Sequence, residues 1–88
     1  MPIKPTKPIA ILACKYSQGM DWARENLQLR EINGARRRVV DTSGQVYYVC
    51  AQIDDLRGYE FADIRVVSGL GDHPDYNEFM NYALLRVK

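Results

Sequence analysis

Much of what the common function classes require is scarce in this chain. It holds two cysteines in 88 residues, Cys14 and Cys50. They are too few and too far apart for a disulfide framework or a zinc motif. Each reads as a small apolar residue for the interior, and no metal is expected. His73 is the only histidine. It stands between Asp72 and Asp75, a setting that suits an oriented base, with Ser68 or Cys14 as the nucleophile across a crevice. No further member of a catalytic set accompanies it, so the reading is not an enzyme. Charge of one sign is also lacking: 12 Lys+Arg stand against 11 Asp+Glu, a formal +1. Non-specific DNA binding rests on many phosphate contacts and a clear basic excess. No apolar run approaches a membrane span, and the amino terminus shows no signal-peptide core, so a cytoplasmic, membrane-free setting is the expectation. A glycine-rich phosphate loop is missing as well. Lys15 precedes the only nearby glycine, Gly19, and no Gly-Lys-Ser/Thr follows, which argues against ATP or GTP hydrolysis and leaves no cofactor to expect.

What is present points to a small α/β domain. Pro2, Pro5 and Pro8 recur at the spacing of a polyproline II turn, so residues 1–8 are read as a proline/lysine arm and residues 9–88 as a single domain. Ile9 to Ala13 is apolar on both faces, as suits a strand in the middle of a helix-covered sheet. Ser17 is the expected cap of a following helix with Met20, Ala23 and Leu27 on its stripe, ending between Leu27 and Ile32, with Asn33-Gly34 as its exit. Arg36 to Asp41 and Val46 to Cys50 read as two strands joined by Thr42-Ser43-Gly44-Gln45, a hairpin. The arginine-bearing arm is placed at the sheet edge, where charge discourages pairing with other chains. Asp54 to Gly58 reads as one helical turn and Asp63 to Val67 as another strand. Pro74 is expected in the first turn of a last helix capped by Asp72 or His73. Tyr76, Phe79, Met80, Ala83, Leu84 and Val87 recur at three- and four-residue steps, one continuous apolar face.

Assembled, these pieces predict a miniature doubly wound, mostly parallel three-stranded sheet with an added edge hairpin strand and a C-terminal amphipathic helix. Ile9–Ala13 lies between Val46–Cys50 and Asp63–Val67. The loops Cys14–Gly19, Ala51–Asp55 and Ser68–His73 then meet at one sheet end, and the crevice between the first and third is the place for a ligand. Lys15, Ser17, Gly69, Gly71 and His73 are its candidate binding residues. Gly69-Leu70-Gly71 is half of a dinucleotide fingerprint, but Asp72 and Asp75 compete there for the helix amides. A second candidate surface is Arg36, Arg38, Tyr47 and Tyr48: arginine and tyrosine are favoured at interfaces, and basic residues beside aromatics suit nucleic acid. Strand alternation sends Arg37 away from its neighbours, which breaks the run as a patch.

The order of an apolar first strand, Asp21-Trp22-Ala23-Arg24 in a helix, a Tyr-Val strand, Asp55-Leu56-Arg57-Gly58 and a hydrophobic strand ending in Gly69 resembles small uncharacterised bacteriophage proteins. Those resemble in turn a Rossmann-like fragment of the P-loop ATPase core without a working phosphate loop. The resemblance implies an accessory protein acting in a host cytoplasm and carries over no catalytic residue. The leading functional expectation is a non-enzymatic accessory protein that binds a protein partner or itself. The alternatives are a nucleotide- or anion-binding module at the carboxyl edge of the sheet, and nucleic-acid binding through Arg36–Arg38.

Overall fold

The computed structural model describes residues 7–88; the arm reading falls mostly on residues 1–6, outside the described residues. Lys7 and Pro8 belong to the fold. The Lys7 carbonyl accepts from Gln45 Nε2 at 2.9 Å, and the Pro8 carbonyl accepts from the Ala62 amide at 2.9 Å.

Five strands and two α-helices form one mixed sheet with a layer on each face. The elements are β1 (Ile9–Leu12), α1 (Tyr16–Asn26), β2 (Leu29–Asn33), β3 (Arg38–Asp41), β4 (Val46–Cys50), β5 (Asp63–Val66) and α2 (Tyr76–Leu85), with short 3₁₀ turns at Ile53–Leu56 and Leu70–Asp72. The strand order is β2-β3-β4-β1-β5. β1 pairs parallel with β4 and β5, whereas β2–β3 and β3–β4 are antiparallel. The doubly wound, mostly parallel three-stranded sheet is therefore corrected: the sheet has five strands, and three of them, β2, β3 and β4, form an antiparallel meander.

β1 lies between its two expected neighbours, and all four of its residues are buried, so both of its faces are covered. Ile9 and Ile11 join Met20, Ala23, Val39, Tyr47 and Val49 under α1. Ala10 and Leu12 join Cys50, Leu56, Phe61, Phe79 and Ala83 under α2. Alternation along one strand thus feeds both cores. Gly19 lets α1 come close: a Cβ there would run into Val49 Cγ1.

Four expectations change. Helix α1 ends at Asn26, where Leu27 turns to an extended backbone and its amide donates to the Ala23 carbonyl, and the Asn26 side-chain amide donates back to the Trp22 carbonyl at 2.9 Å. The residues assigned to its tail form β2 instead. That strand takes the edge, so the arginine-bearing β3 is an inner strand. Asn33-Gly34 is not a helix exit but opens the β2–β3 turn: Arg36 N–H donates to Asn33 Oδ1 at 3.1 Å, and Arg37 N–H to the Gly34 carbonyl at 3.3 Å. The N-cap of α2 is Asp75, while His73 ends the preceding 3₁₀ turn.

The Thr42–Gln45 hairpin is present, organised by Asp41. Its Oδ1 accepts from the Ser43 and Gln45 amides and the Ser43 hydroxyl, and its Oδ2 from Tyr47 Oη. These bonds, the Ser43 hydroxyl first, hold the Asp41 carboxyl below its usual range. The edges carry charge: Arg30 and Glu31 on β2, and the ion-paired Asp63 and Arg65 on β5, a guard against stray strand pairing. No helix among the described residues is long and apolar enough to cross a membrane.

Candidate functional site

Two concavities share the end of the sheet where β1 and β4 finish. The first is a crevice of about 470 Å³ lined by Cys14, Tyr16, Ala51 to Asp54, and His73 to Asp75. The three loops expected to meet do meet here. Of the five candidate binding residues, however, only His73 lines this crevice. Lys15 is the exposed N-cap of α1, and its carbonyl accepts from the Gln18 and Gly19 amides. Ser17 is exposed within the first turn and makes no capping bond. Gly69 adopts φ +94° in the bend after β5. Gly71 borders a separate shallow hollow beside the start of α2.

His73 is a clasp. Its Nδ1 accepts from the Asp75 amide at 3.0 Å, which assigns the proton to Nε2, and Nε2 donates to the Ala51 carbonyl at 2.7 Å. Its ring also packs at 4.9 Å on Phe79. Both ring nitrogens are thus spent on backbone groups that tie the α2 loop to the end of β4. The crevice adds the carboxyls of Asp54 and Asp75 and no cationic side chain, the wrong electrostatics for an anion.

The cations lie next door. A hollow of about 700 Å³ is lined by Asn33, Ala35, Arg36, Arg37, Arg38, Tyr48, Val49, Cys50, Asp54, Asp55 and Tyr59. Arg36 and Arg37 belong to the β2–β3 turn, not to a strand, so strand alternation does not separate the three arginines. Arg38 opens β3 directly opposite Tyr48, which puts their side chains on one face. Arg36 makes no ion pair among the described residues, and Arg38 has only Glu31 at 3.9 Å.

Arg37 is held hardest. Its φ is +51°, the one positive value at a described non-glycine residue. Its carbonyl accepts from the Val49 amide at 2.8 Å, and its guanidinium lies 3.5 Å from the centre of the Tyr16 ring. The left-handed region costs an L-residue about 1–2 kcal/mol. Such conformations persist where surrounding bonds over-determine them, often at functional positions.

Tyr16 continues the network. Its hydroxyl donates to Asp55 Oδ2 at 2.7 Å, and the Ala51 and Gln52 amides donate to the same oxygen at 3.0 and 3.1 Å. Burial and then this hydrogen bond push the Tyr16 phenol up to about 12. Burial likewise pushes the Cys50 thiol up to about 12, with the Asp55 charge adding to it. Cys50 is 1 % exposed and is no nucleophile at neutral pH. The two carboxylates on the hollow are already engaged: Asp55 with these donors and Asp54 with Arg57 at 3.2 Å.

The aromatic wall is Tyr48 and Tyr59. Their ring centres are 5.0 Å apart, and Tyr59 also stacks at 5.9 Å on the buried Phe61. Tyr59 is 41 % exposed despite both contacts. Tyr47, the remaining candidate, belongs to the opposite face: it is 6 % exposed and bonded to Asp41. Arg36, Arg38 and Tyr48 are therefore brought together and Tyr47 is not. Sequence reading missed Tyr59 and Tyr16 and set Arg37 aside by strand alternation; the signal for Tyr16 lay in its position at the start of α1, just past the carboxyl end of β1.

No protein-family model matches the chain, and neither a curated protein nor a solved structure matches it significantly.

Proposed function

We propose that this chain is a non-enzymatic accessory domain that binds an anionic partner in the arginine–tyrosine hollow. One observation carries the reading: the β2–β3 turn and the first residue of β3 bring Arg36, Arg37 and Arg38 to one concavity, with Arg37 in a left-handed backbone. Arginine's planar fork suits carboxylate and phosphate alike, so the reading fixes the partner's charge before its identity. The anion site is thereby moved from the carboxyl-edge crevice to the neighbouring hollow. Backbone amide NMR with a titrated polyanion, tripolyphosphate at low ionic strength, tests it. Shifts confined to residues 33–38, 48–50 and 54–59 are expected. An unresponsive hollow would remove the reading.

A second reading, self-association, draws on Leu84 and Leu85, which are 56 % and 74 % exposed at the end of α2. Sedimentation velocity over a concentration series tests it. A protein that stays monomeric throughout excludes it, and a dimer lost in Leu85→Lys supports it.

A further inference from the structure

We infer that the occupant of the hollow is a nucleotide unit, a phosphate joined to a base, supplied either by a single-stranded nucleic acid or by a free nucleotide. The inference rests on the reading that the hollow binds anions, and it adds the chemistry of the other half of the ligand.

Arginines alone select an anion. The hollow offers more, because Tyr59 packs against both Tyr48 and the buried Phe61 and is still 41 % exposed. A ring packed on two aromatic neighbours is fixed before any ligand arrives, so stacking a base on it costs little ordering. Base–aromatic stacking beside a basic groove is the recurring device of single-strand binders and tolerates any base. An acidic peptide would use the arginines and leave the tyrosines idle.

The charge pattern limits the ligand further. Arg36 is free of ion pairs among the described residues, and Arg38 faces Glu31 at 3.9 Å across an exposed pair that a phosphate can displace. Asp54 and Asp55 share the hollow and limit how many phosphates it takes, although Arg57, Tyr16 and two backbone amides already engage them. The balance suits two or three phosphates. A duplex needs a longer basic track than a chain of net charge +1 provides. A recess of about 700 Å³ lies within the size range of small-ligand pockets, and a strand can pass through it one or two nucleotides at a time.

The experiment is fluorescence anisotropy of the whole chain with dye-labelled oligothymidine and oligouridine at low salt. Competitors are thymidine and uridine monophosphates, tripolyphosphate and an oligoglutamate peptide. Expected are binding of the oligomers with log K falling against log salt at a slope of about −2, from three arginine–phosphate contacts at about 0.7 each on single strands. Arg36→Gln with Arg38→Gln is expected to weaken it at least tenfold, Tyr59→Leu about tenfold, and Tyr59→Phe hardly at all. The leucine variant keeps side-chain bulk against Phe61, and thermal melting verifies its fold. Competition by the mononucleotides at comparable concentration identifies the source as a free nucleotide, and its absence identifies the strand. If oligoglutamate or tripolyphosphate binds as tightly as the oligomers and Tyr59→Leu changes nothing, the base-stacking inference fails while the anion site stands. If none of these anions binds, both fail.

Discussion

The guanidinium of Arg37 lies 3.5 Å above the Tyr16 ring, and the hydroxyl of that ring donates to Asp55 at 2.7 Å. One aromatic residue at the start of α1 thereby holds the β2–β3 turn on one side and the Ile53–Leu56 turn on the other. The wall of the hollow is as rigid as this three-part contact, so the contact is where stability and binding can be separated.

Replacing Arg37 separates them. Arg37→Ala loses the stacking, worth about 0.5–1 kcal/mol at an exposed site, and keeps the left-handed strain. Arg37→Gly loses the same stacking but removes the strain of about 1–2 kcal/mol, less the greater freedom glycine gains in the unfolded chain. Chemical denaturation should find the glycine variant close to wild type and about 1 kcal/mol more stable than the alanine variant. Equal losses in both would show that the turn is not strained.

Tyr16→Phe keeps the ring beneath Arg37 and deletes only the hydroxyl. At neutral pH we expect a loss of about 1–2 kcal/mol. The phenol titrates near 12 in the fold instead of at the ordinary 10.0, raised by burial and by Asp55. A group whose folded value is raised contributes fully below the unfolded value and loses its contribution as pH climbs through the folded one. The gap between wild type and Tyr16→Phe should therefore be full below pH 10 and shrink as pH rises to about 12. Tyr47 and Cys50 are also raised, but they are common to both proteins and cancel. Denaturant midpoints across the alkaline range check this, and a gap that stays constant contradicts it.

Gly19→Ala poses a question of sign. By helix propensity alone alanine should stabilise α1 by about 0.8–1 kcal/mol. The added methyl meets Val49 Cγ1, and overpacking of this kind costs about 1–3 kcal/mol. We expect net destabilisation, with the penalty of the glycine change reduced in a Val49→Ala background. Stabilisation by the single change would mean that α1 has room to move off the sheet.

The apolar residues of α2 should prove unequal. Phe79 is 0 % exposed and Leu85 74 %. Phe79→Ala should cost about 3–5 kcal/mol, whereas Leu85→Ala should stay within about 0.5 kcal/mol of wild type. Thermal melts of the two variants decide it.

What the sequence made legible follows from which signals are local. Ile9–Leu12 can be read because apolar residues at four consecutive positions leave no polar face, and its two parallel partners followed from that. The periodicity of α2 and the turn chemistry of Thr42–Gln45 were equally plain. β2 was hidden because only Leu29 of its five residues is even partly buried, so no alternation marks it, and Leu27, Leu29 and Ile32 pass for the tail of a helix. With β2 unseen, β3 looked like an edge and the sheet looked mostly parallel. The hollow was half legible. Arg36, Arg38 and Tyr48 were named, but the left-handed residue is Arg37, while the turn's glycine stands three positions earlier at Gly34. Which of Tyr47 and Tyr48 faces the hollow depends on which layer covers which face, and that is decided by packing far away in the chain.

The placement of β1 has a further consequence for assembly. β2, β3 and β4 are joined by two tight turns and close on one another through short loops. Ile9, by contrast, pairs with Tyr47 on one side and Asp63 on the other. β1 precedes both of its partners in the chain, so its pairing waits for β4 and then β5 to be made. Its apolar side chains stay unsheltered until then.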